Sequence, residues 1–110
     1  MGEISAEARR ENLQYLRSRH GDIYDAYEEY GRLVHERGGP LDEKTRWLVK
    51  VAVTTAGQNP DALGTHIRKA LRNGCSHEEI EHAILLTAPS SGFPTMMEAL
   101  LVLRQVLADD

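Results

Sequence analysis

The stretch Asn59–Pro94, NPDALGTHIRKALRNGCSHEEIEHAILLTAPSSGFP, decides the fold, because two helices and the joints that end them can be read directly from it. Asn59 can cap free N–H groups, and Pro60 at the first helical position loses only a donor without an intrahelical acceptor. A helix is expected over Asp61–Arg72, with Leu63, Ile67, Ala70 and Leu71 spaced along one buried face. Asn73-Gly74 ends it, since both residues tolerate the left-handed conformation of a helix terminus. Ser76 opens the next helix, and Glu79 three residues later makes a capping box. That helix carries Ile80, Ala83, Ile84, Leu85 and Leu86 until Pro89 and the Ser90-Ser91-Gly92 joint stop it.

The rest of the chain extends the same pattern. Ser5–Arg19 reads as a charged, weakly amphipathic helix carrying Leu13 and Leu16, peripheral to the fold. After the Gly21-Asp22 interruption, Asp22 is expected to cap a second helix to Arg37, with Ile23, Tyr27, Tyr30 and Val34 on one face. Gly38-Gly39-Pro40 is the clearest breaker and the one candidate hinge. A third helix over about Asp42–Ala56 and a last one after Pro94 are apolar nearly all round. No segment alternates with the period of a strand. The fold class expected is all-α, about six helices, in a single domain over 1–110 with 1–20 as a peripheral N-terminal helix.

Composition limits the function classes. The 110 residues are 41% hydrophobic and 5% aromatic, which implies one aliphatic core. Thirteen basic residues are scattered among seventeen acids, net −4, a pattern that argues against nucleic acid and anionic membranes as partners. No apolar run approaches the ~20 residues of a membrane span. The opening MGEISAEARR lacks a signal-peptide layout, and one cysteine forms no internal disulfide, so a cytoplasmic location is expected. A chain of this size hides only about two-thirds of its unfolded surface. Two helices apolar on all sides therefore point to a homo-oligomer.

Few residues carry chemistry. His66 falls within the apolar stripe of its helix, where an imidazole serves either as a general acid or base or as a core histidine satisfied by one hydrogen bond. Cys75 lies in a helix joint, and a structural role there outweighs a reactive one, since no second thiol can resolve an oxidised form. Glu79 and His82 form an E-x-x-H, but a di-iron bundle needs a second copy and two further glutamates, so no metal is expected. No cofactor motif is present.

Two longer runs go further. LDEKTRWLVKVAV and THIRKALRNGCSHEEIEHAILLTAPSSGFPTMMEALLVLRQVL resemble the carboxymuconolactone decarboxylase family, which also holds the alkylhydroperoxidase D-like proteins; the likeness spans about residues 30–108. It rests on the histidine helix, the N-G-C-S-x-E-E-I joint and the G-F-P turn. Redox members carry C-x-x-C ahead of the histidine and a glutamate on the preceding helix. Those positions fall on Asn59, Ala62 and Trp47, so thiol peroxidase activity is not expected. The decarboxylase branch keeps the histidine alone. By that likeness His66 is the candidate acid or base, and Arg46 the cation for a small carboxylate or lactone substrate. Ser90 and Ser91 are candidate substrate-binding residues; at the Ser90 position decarboxylase-like members often carry a tyrosine, so the pocket wall is expected to differ. The likeness also implies trimers or hexamers. The alternative is a member without catalysis, serving as a structural or ligand-binding oligomer.

Overall fold

The computed structural model describes residues 4–109, and every regular element among them is a helix. In chain order these are α1 (Ala6–Arg19), α2 (Gly21–Arg37), α3 (Glu43–Ala56), α4 (Pro60–Arg72), α5 (His77–Leu85), α6 (Ala88–Ser91) and α7 (Phe93–Asp109). The all-α expectation holds. The joint read as a stop after α5 is itself wound into the single turn α6, because Pro89 sits in its first turn with φ already suited to a helix. Gly92, at φ +99°, then turns the chain into α7.

The chain divides into two compact units at Gly39–Pro40, where the sequence places its strongest breaker. The first unit holds α1 and α2. Ser5 accepts the Ala8 N–H at 3.0 Å and so caps α1. Asp22 does not cap α2 as expected: the helix begins at Gly21 behind His20, and Asp22 accepts only the N–H of Ile23, at 2.9 Å. The reason is spacing. One residue separates the helices, so Asp22 already lies inside the first turn. Neither helix has a buried residue. Arg32 ties Glu29 and Glu36 along α2, and the Arg17 guanidinium lies 5.0 Å from the Tyr24 ring centroid.

The second unit, from Pro40 onward, contains the core. Asp42 caps α3 through the Thr45 N–H (2.8 Å), and Asn59 caps α4 through that of Ala62 (3.2 Å). At the end of α4 the Cys75 N–H donates to Ala70 and the Gly74 N–H to Leu71, with Gly74 at φ +94°. This closure satisfies carbonyls the helix leaves open. The capping box is complete: Glu79 N–H donates to Ser76 Oγ (3.1 Å), and Ser76 N–H to Glu79 Oε1 (2.8 Å). Leu63, Ile67 and Ala70 of α4 meet Val51 of α3, Ile80 and Ile84 of α5, and Met96, Ala99, Leu103 and Val106 of α7 in one aliphatic cluster. Fully burying side chains of this size contributes about 1.5–3 kcal/mol each.

α3 and α7 are buried on one side only. Val51 is sealed, but Val49 and Val53 face water; Leu103 is sealed, but Phe93, Met97 and Leu101 are exposed. Leu85 and Leu86 are bare as well. No helix among the described residues is long and apolar enough to cross a membrane.

Candidate functional site

With Leu63, Ile67 and Ala70 turned inward, the register of α4 places His66 at the edge of the core face, half-buried and with Nδ1 sealed from water. α3 lies alongside, joined to α4 by the short turn Gly57–Asn59. Its Trp47 brings the indole to His66, ring centroids 6.1 Å apart and tilted by 53°. One turn beyond each ring stands a lysine: Lys50 follows Trp47 by three residues, and Lys69 follows His66 by three. Both ammonium groups lie by the same indole, Lys50 Nζ at 5.1 Å and Lys69 Nζ at 5.6 Å from the ring centroid. These are cation–π distances. Partial burial, and then the neighbouring Lys69 charge, hold the Lys50 ammonium below the usual lysine range.

The other expected site residues stand apart from one another in the sequence of elements. Arg46 begins the α3 turn that carries Trp47, and its Nη1 donates to the Leu41 carbonyl at 2.6 Å. Its Nε is buried without a hydrogen-bond acceptor. Ser90 and Ser91 are in α6, where their N–H groups donate to the Thr87 carbonyl. Ser90 is exposed and Ser91 half-buried.

A cavity of about 450 Å³ opens between the end of α3, the turn into α4 and the start of α7. Thr54, Thr55, Gln58 and Asn59 give it a polar side, and Leu63, Ala99 and Val102 an apolar one. Gln58 adopts φ +55°, unusual for a residue with a side chain, and its Nε2 donates to Thr95 Oγ1 across the joint at 3.3 Å. Neither His66 nor Arg46, Ser90 or Ser91 lines this cavity. Its one ionisable lining residue is Glu98. A carboxylate would meet a like charge there with no lining cation to offset it.

Cys75 is buried, and its thiol donates to the Lys44 carbonyl at 3.6 Å. Burial, and next the Glu79 charge, push that thiol up rather than down, the reverse of what a reactive cysteine needs. Glu79 of the E-x-x-H is committed to the capping box and to Lys44, 3.2 Å away. Among the described residues no group of three or more His, Cys, Asp or Glu is placed to hold a metal.

The sequence reading missed the two lysines. The signal was the repeated i, i+3 spacing in WLVK and HIRK, but only the pairing of α3 with α4 brings the two runs to one ring.

The sequence profile of the carboxymuconolactone decarboxylase family matches residues 21–105. The chain belongs to that family. This family member is 34% identical over 76 residues to nitrosuccinic acid decarboxylase of Metarhizium robertsii, covering 69% of the chain. It is 35% identical over 66 residues, 60% of the chain, to uncharacterized protein 4 in the cox locus of Paracoccus denitrificans. It spans 52% and 59% of the lengths of these two relatives. In fold it is similar to a carboxymuconolactone decarboxylase family protein from Legionella pneumophila, with a TM-score of 0.79 at 20% identity, over 93% of this chain and 90% of that one. With one cysteine in all, it has no C-x-x-C pair; Asn59, at the first of those positions, caps α4 and lines the cavity.

Proposed function

We propose that this protein is a decarboxylase-like lyase acting on a small carboxylate or lactone, with His66 as the general acid or base. The observation that carries the proposal is the half-buried imidazole packed against Trp47, an indole that also meets the Lys50 and Lys69 ammonium groups. Support comes from the family and from the decarboxylase among its relatives. When the carbon–carbon bond to the departing carboxylate breaks, its electron pair stays on the substrate carbon as carbon dioxide leaves. An imidazolium at His66 would donate the proton that this carbon takes up, returning to neutral imidazole. The bare apolar residues of α3, α5 and α7 favour a homo-oligomer, a trimer or hexamer by family likeness. With no disulfide to form within the chain, a cytoplasmic setting suits it.

The test is carbon dioxide release from nitrosuccinate and other small carboxylates by the purified protein, beside His66→Gln. Loss of turnover by a factor of about 10²–10⁴, with assembly unchanged, is the expected result for a general acid–base residue. Equal turnover would remove His66 from the chemistry. Turnover by neither protein on any of these substrates would favour the non-catalytic, ligand-binding alternative.

A further inference from the structure

We infer that the cavity of about 450 Å³ between α3, α4 and α7 binds a small organic ammonium ion, its charged head on Glu98 and its hydrocarbon body on Leu63, Ala99 and Val102. This site is separate from the one proposed above, since His66 does not line it, and it does not rest on that reading. A space of this size suits a small molecule, and an apolar wall facing a few polar groups is the usual form of such a site. Charge decides which small molecule. Glu98 is exposed, and among the described residues it makes no hydrogen bond or ion pair. The hydroxyl protons of Thr54 and Thr55 are already committed: Thr54 Oγ1 donates to the Lys50 carbonyl at 2.8 Å, and Thr55 Oγ1 to that of Val51 at 2.9 Å. Held so, both oxygens keep lone pairs and act as acceptors. The helix starts beside the cavity add few donors, because Pro60 and Pro94 have no N–H and the Ala62 N–H is taken by Asn59 Oδ1. What is left to donate is neutral, the Thr95 hydroxyl and the Gln58 and Asn59 amides, whereas the one ionisable lining group is an acid. A hydrogen bond between an ammonium and a carboxylate is roughly twice as strong as a neutral one, so a cation is favoured here over an alcohol or an anion. A divalent metal fits less well, since it takes about six to eight oxygen ligands and a single carboxylate lines the cavity. Gln58, at φ +55° with its Nε2 on Thr95 Oγ1, holds a backbone state that collects at ligand sites.

The test is a titration of the full-length, nitrogen-15-labelled protein with cyclohexylamine, read from the backbone amide shifts. Saturable changes centred on Gln58, Thr95 and Ala99 are expected, with a dissociation constant of about 1 mM for so small a ligand. Binding should weaken as salt is added, because Glu98 is open to water. Cyclohexanol has the same ring without the charge and should bind about tenfold more weakly or worse, the loss expected for a hydrogen bond between charged groups. Cyclohexanecarboxylate should bind no better than the alcohol. These comparisons need no variant. Glu98→Gln should weaken amine binding about tenfold or more while melting as the wild type does, since the side chain is exposed. Glu43→Gln removes an exposed carboxylate away from the cavity and should bind as the wild type does. No saturable amine binding, shift changes centred elsewhere, a carboxylate that binds more tightly than the amine, or a Glu98→Gln variant that binds like wild type would each overturn the inference. His66→Gln separates the two proposals. It should leave amine binding unchanged, so a loss of turnover there with no amine binding by the wild type keeps the acid–base role and removes the ammonium site. Amine binding as described with no turnover on any carboxylate gives the reverse.

Discussion

α2 and α4 place apolar residues at the same spacing, yet the two stripes meet different fates. Along α4, Leu63, Ile67 and Ala70 are 2%, 0% and 0% exposed. Along α2, Ile23, Tyr27 and Tyr30 repeat the i, i+4, i+7 pattern and are 60%, 71% and 64% exposed. Both helices form, because backbone bonding, the Asn59 cap on α4 and the Glu29–Arg32–Glu36 links along α2 are local matters. Only α4 finds α3, α5 and α7 to cover its stripe. Periodicity thus reports which face a helix offers, and the rest of the molecule decides whether that face is taken.

The largest effect should come from Ile67→Ala, which empties a fully buried site and should cost about 2–5 kcal/mol in urea denaturation. The matching change in α2, Ile23→Ala, should stay within about 0.5 kcal/mol, as an exposed substitution does. An Ile23 loss as large as the Ile67 loss would break the contrast, placing a partner surface over α2 in solution. A smaller effect is expected from the caps. Ser76→Ala removes half of the α5 capping box and should cost about 1 kcal/mol of global stability. Ser5→Ala removes an equivalent bond from α1, a helix without buried residues, and should fray that helix in hydrogen exchange while leaving the global midpoint in place.

The smallest effect is the acid response of the same joint. The Ser76 N–H, then the Lys44 ammonium, hold the Glu79 carboxyl below its usual 4.5. Because the folded value is the lower one, this stabilisation is present above that pH and is lost as the pH falls through the folded value. Glu79→Gln should flatten the decline in stability at acid pH, and an unchanged profile would take Glu79 out of that response. The Asp42 carboxyl, lowered by the Thr45 N–H, acts in the same direction and contributes to the remaining slope.

Much of this could be read from the residues in order. Asn59-Pro60, Asn73-Gly74, Ser76 with Glu79, and Gly38-Gly39-Pro40 each act within a few residues, so each shows its structural consequence in the sequence itself. Asp22 looks like a cap in the sequence and is not one, because the one-residue gap between α1 and α2 leaves no room for it. Cys75 was legible as a joint residue, but not its depth: it packs into the aliphatic cluster, with its thiol on the Lys44 carbonyl thirty-one residues earlier.

The sequence alone determined that this chain is helical, where α1, α3 and α4 begin and end, which family it resembles and that it lacks a cysteine pair. Those properties follow from short-range hydrogen bonding and from residue identities. Tertiary structure decided which apolar stripes are covered, that the cavity carries Glu98 and no cation, and that Trp47, His66, Lys50 and Lys69 share one place. Side chains nineteen residues apart meet only once two helices pack in a fixed register, and that register is set by the whole aliphatic core.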